Sequence, residues 1–116
     1  MAVKKLRDAG LDIDEEARPK VGLMESGQLW YEIYSQMMAG ALPLEKVLVE
    51  RQKKQQSMWA DFFEQYDVLL TPISPTVAFP HDHEGTLLTR NLEINGHEKP
   101  MLNSLVWAYM AVVSGL

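Results

Sequence analysis

The 116-residue chain contains no cysteine. That excludes a disulfide framework, a thiolate nucleophile and a cysteine-ligated metal, and it fits a reducing compartment, so a cytoplasmic location is expected. Basic residues are also scarce, with 11 Lys and Arg against 16 Asp and Glu and a net charge of -5. The densest basic group, Arg51, Lys53 and Lys54, reads as a solvated helix face, and no nucleic-acid partner is expected. Long hydrophobic runs are missing too. The most apolar stretch, Met101 to Leu116, is interrupted by Asn103 and Ser104 and falls short of the roughly 20 residues that span a bilayer, so no membrane partner is expected. Charge in Met1-Ala2-Val3-Lys4-Lys5-Leu6-Arg7 stands where a secretory signal needs its apolar core. Glycines are scattered singly, and no Gly-Gly-Ser-Ser run occurs.

What is present is a composition of 47% apolar and 23% charged residues, enough to build one small domain or a piece of a larger one. The organising stretch is Tyr66-Asp67-Val68-Leu69-Leu70-Thr71-Pro72. Its short apolar run, rich in branched residues and stopped by proline, predicts a buried central strand from Asp67 to Thr71. Pro72, Pro75 and Pro80 then force a loop that neither helix nor ladder absorbs.

Upstream, Ala2 to Ala9 reads as helix ending at a Gly10 cap, and the alternation in Leu11-Asp12-Ile13-Asp14 predicts a short strand. Apolar spacing predicts an amphipathic helix over Val21 to Ala39, with its methionines filling core gaps. A second helix runs over about Leu44 to Gln65. Its end carries Trp59, Phe62 and Phe63 as a clasp on the following strand, and its polar middle from Glu50 to Ser57 is expected to be wet. Asn95-Gly96 supplies a tight turn between arms Asn91 to Ile94 and His97 to Lys99. Met101 to Leu116 reads as a core helix apolar on nearly every side, which needs neighbours on every side. A helix with no strand before it at one end, and an apolar segment that stops abruptly at the other, both read as cuts in a longer polypeptide.

Two reactive-looking groups stand out. His81-Asp82-His83, with His97 more distant, is the residue type that holds zinc or nickel, but an isolated His-x-His in a polar loop lacks rigid support, so a solvated loop is the simpler reading. No base or oxyanion donor is legible beside Ser26, Ser35, Ser57, Ser74, Ser104 or Ser114, so no catalytic residue is assigned. No metal and no cofactor are expected.

The order Trp59 with Phe62-Phe63, Tyr66-Asp67-Val68-Leu69-Leu70-Thr71-Pro72, Pro75, Ala78-Phe79-Pro80-His81-Asp82, Arg90, Asn95-Gly96, Trp107 and Ser114-Gly115-Leu116 resembles the C-terminal half of amidase-signature hydrolases. The resemblance spans nearly the whole chain. It implies an α/β fold in which residues 1-116 form a partial domain, mainly helices with a central strand and a small hairpin. It also implies a parent enzyme that cleaves small amides or esters with two serines and a lysine, none of which is matched here. In relatives, the loop after the Thr-Pro strand and the helix before Gly-Leu border the substrate cleft. Ile73, Leu105 and Tyr109 are therefore pocket candidates by resemblance, with ordinary core as the alternative. The expected partners are the remainder of the parent chain or a second copy. A self-associating helical module and a metal-binding loop at His81 and His83 are the competing functions.

Overall fold

The computed structural model describes residues 2–116. Ala2–Asp8 forms α1, which stops where Gly10 takes φ +91° and the Leu11 N–H bonds back to the Leu6 carbonyl at 3.2 Å. Only a residue without Cβ adopts that backbone readily, so the glycine cap read from sequence is the one that forms. No strand follows. The Asp14 carboxylate accepts from the Glu16 and Ala17 N–H groups at 2.8 and 2.9 Å, a local turn that competes with any ladder.

Two long helices come next, α2 (Leu23–Met38) and α3 (Lys46–Phe63), joined through a segment with a cis Leu42–Pro43 bond. An ion pair between Glu32 and Arg51 links them, and the Glu45 N–H is held by the Gln36 side chain at 3.0 Å. Beyond the proline-rich loop, β1 (Asn91–Ile94) and β2 (His97–Pro100) pair antiparallel, Ile94 opposite His97 and Asn91 opposite Pro100. Asn95 and Gly96 take φ +54° and +77°, the two positive values that a tight primed hairpin turn requires. A 3₁₀ turn (Met101–Leu105) then leads into α4 (Val106–Ser114).

The core lies where α4 meets α2 and α3. One cluster is Val21, Trp59 and Met110, with Leu23, Met58, Phe62, Leu69 and Trp107 around it. The other is Leu29, Leu48 and Val113, flanked by Trp30 and Ile33. Trp59 also stacks on Phe63 at 5.6 Å, so the aromatic end of α3 is a clasp, but it closes on α4 and Val21 rather than on a strand.

Three further expectations are corrected. The central strand from Asp67 to Thr71 does not form: among the described residues the hairpin is the only sheet, and no backbone–backbone hydrogen bond involves residues 66–85. A central strand exists only through neighbours on both edges, and here β1 and β2 satisfy each other. Of this run only Leu69 packs on the core, while Val68 and Leu70 are 70% and 58% exposed. Second, the middle of α3 is not wet throughout. Gln55 is 2% exposed and accepts from the Ser26 hydroxyl at 3.0 Å, while Gln52 and Gln56 donate to the Val113 and Ser114 carbonyls at 2.8 and 3.2 Å. These two amides satisfy carbonyls that the end of α4 leaves without partners. Third, α4 is covered on one side only, with Tyr109, Met110 and Val113 buried and Val112 and Leu116 exposed.

The molecule is a slab of 48 × 39 × 18 Å with a radius of gyration of 16.9 Å. A compact domain of this length has a radius near 13 Å. Its accessible surface of 8883 Å² likewise exceeds the roughly 6,400 Å² expected of a compact monomer of this mass.

The Tyr66 hydroxyl donates to Asp14 at 2.8 Å and ties the segment after α1 to the end of α3. The bond holds the Asp14 carboxyl below its ordinary value of 3.8 and raises the Tyr66 phenol above 10.0. A depressed carboxyl contributes stability above its unfolded value and loses it as pH falls; a raised phenol contributes below its unfolded value and loses it as pH rises. The link is therefore fully present between 3.8 and 10.0. Tyr66→Phe should lower the urea midpoint slightly at neutral pH and not at all in strong alkali. Equal effects at both would show that the bond is not responsible.

Candidate functional site

A half-open concavity lies between the first half of α2 and the start of α4. It measures about 180 Å³ and is bounded by Leu23, Met24, Gly27, Trp30, Leu102 and Tyr109, with Gln28, Tyr31, Asn103 and Val106 completing the wall. Two of those rings form part of a stack: Trp30 lies 4.7 Å from Tyr109 at 23° and 5.0 Å from Tyr34 at 7°. Tyr109 is fixed at its far end, where its hydroxyl donates to the Leu102 carbonyl at 3.2 Å, and burial raises its pKa. Gly27 explains the close approach of helix and ring. A Cβ there would sit 3.2 Å from Tyr109 Cδ2, tighter than most real contacts. A helix-interior glycine costs about 1 kcal/mol against alanine, so close packing is its reason for being in α2.

A larger hollow, about 500 Å³, runs beneath the proline loop and includes Phe79, His81, Asp82, Arg90, Leu92 and Met101. Arg90 braces it. Its guanidinium donates to the Glu84 and Gly85 carbonyls at 2.9 and 3.3 Å and lies 3.5 Å from Asp82. Its Nε and Nη2 groups are thus turned toward the loop's own oxygens. The His81 and His83 rings stack with centroids 5.9 Å apart, and among the described residues no three His, Asp or Glu side chains converge as a metal site would require.

The three pocket candidates are dispersed. Tyr109 forms a wall of the smaller cavity. Leu105 sits at the junction of the 3₁₀ turn and α4, outside that wall, and Ile73 projects from the proline loop at 96% exposure. Leu105 and Tyr109 are four apart, but the 3₁₀ geometry before Val106 breaks the regular helical relation between them. Ser26 is fully buried and its hydroxyl donates to Gln55, an amide that cannot serve as a base; the Ser114 hydroxyl is buried without a partner. Sequence reasoning missed Gly27, Trp30 and Leu102 as cavity walls. The one available signal was Gly27 itself, an unfavourable residue inside a strongly periodic helix.

No family profile, curated protein or solved structure matches the chain. Among the described residues no helix is long and apolar enough to cross a membrane.

Proposed function

We propose that this chain is the C-terminal-half portion of an amidase-like hydrolase, contributing scaffold and part of a substrate pocket, with the nucleophile and base supplied by other parts of the polypeptide. The ordered motif set from Trp59 to Leu116 carries the reading. Its central element supports it physically: the segment after α3 has no backbone partner and leaves Val68, Ile73 and Val77 70%, 96% and 84% exposed. Such a row of unpaired N–H and C=O groups is what a neighbouring strand completes. The same reading places the protein in the cytoplasm, without metal or cofactor, acting on a small amide.

The purified chain should release no 4-nitroaniline from a chromogenic anilide above the buffer rate. Hydrolysis that disappears with substitution of one of its own serines would overturn the proposal. So would a genomic reading frame that lacks, upstream, a Gly-Ser-rich run with two serines and a lysine.

The excess surface favours a second reading, self-association of a helical module. Met24, Met37, Met38, Leu42, Val68 and Leu70 are exposed, and a stable dimer needs only about 800 Å² from each partner. Light scattering at micromolar concentration distinguishes the two: a dimer supports self-association, and a monomer that binds a hydrophobic dye supports the missing-partner reading.

A further inference from the structure

The geometry points to a binding site for a neutral, single-ring aromatic molecule in the cavity between α2 and α4. The inference does not depend on the amidase reading, because it concerns equilibrium binding by this chain alone.

Size sets the first limit. At about 180 Å³ the space is close to that of an engineered apolar cavity of about 150 Å³ in another protein that takes up benzene. One six-membered ring with a small substituent fills it, and a fused or extended ligand would have to project through its open side. The walls set the second limit. Trp30 and Tyr109 are already stacked with centroids 4.7 Å apart, with Tyr109 anchored through Leu102 and its ring edge seated against Gly27. A ring entering between Leu23, Val106 and these faces gains apolar contact without reorganising them.

Charge sets the third. No Asp, Glu, Lys, Arg or His lines the cavity, and the Tyr109 phenol is kept protonated by burial. Outside the wall, Glu25 is exposed to solvent, and Glu32 takes the Gln28 amide at 2.7 Å and pairs with Arg51. An anion or cation would give up its hydration with nothing in the wall to replace it. Asn103 and Gln28 supply the only side-chain amides in the wall, so a ligand with one hydroxyl or carbonyl is preferred over a bare hydrocarbon.

The experiment is a titration of the full chain with phenol, cyclohexanol and benzoate at neutral pH, followed by ligand-observed saturation-transfer NMR. Phenol should bind at least about tenfold more tightly than benzoate, and cyclohexanol should fall between them. Val106→Phe, which fills the cavity from α4, should abolish the phenol signal while far-UV circular dichroism stays that of the parent. Met24→Trp, which covers the mouth from an exposed position on α2, should do the same should the first variant fail to fold. Benzoate binding as tightly as phenol overturns the inference, as does undiminished phenol binding in either folded variant.

Discussion

Trp59→Ala should remove most of the stability of this fold, at a cost of about 3–5 kcal/mol. Trp59 is 2% exposed and is the largest fully buried side chain, at the centre of the cluster that joins Val21, α3 and α4. Its ring also organises the end of α3, lying 6.0 Å from Phe62 and 5.6 Å from Phe63. A thin slab with two small clusters has little else to fall back on. Domains of this size have about 5–15 kcal/mol in total, and the lower end suits a chain whose surface exceeds that of a compact monomer. The indole N–H has no hydrogen-bond partner, so Trp59→Phe, which keeps an aromatic ring and removes a donor left unsatisfied on burial, should cost clearly less than alanine. Urea denaturation followed by circular dichroism ranks the three proteins. A loss below about 1 kcal/mol for Trp59→Ala would place the core elsewhere.

The helices were legible because their signals are local. Periodicity located α2 and α3 to within two residues, Gly10 marked the end of α1, and Asn95-Gly96 set the hairpin turn. The strand at Asp67–Thr71 was misread because an apolar run specifies burial on partners, and partners are a property of the whole fold. Likewise the apolar surround of α4 said only that cover is favourable, and it could not say that α2 and α3 reach one side alone. The candidate cavity was the least legible part. It depends on Gly27, Trp30, Leu102 and Tyr109 meeting across some eighty positions of sequence, and only the glycine deviates from what an ordinary helix face would carry.

The glutamines of α3 give the second large expected effect. Ser26 and Gln55 are 0% and 2% exposed, and the Ser26 hydroxyl donates to Gln55 Oε1 at 3.0 Å, between α2 and α3 beneath the end of α4. Polar residues in the middle of a helix read as a solvated face, and these are the exception because they meet across the interface. Either single change leaves a buried group unpaired. Gln55→Met keeps the shape and orphans the Ser26 hydroxyl; Ser26→Ala leaves the Gln55 amide with neither of its groups bonded, since its Nε2 already lacks a partner. Each should cost about 1–3 kcal/mol. Combining them removes both polar groups at once and should cost less than either alone, because an apolar pair of similar shape has nothing left to satisfy. The double-mutant cycle, read from urea denaturation midpoints, should give a coupling of about 1–3 kcal/mol. Strictly additive losses would mean that the two side chains are solvated independently and that helices α2 and α3 do not close over them.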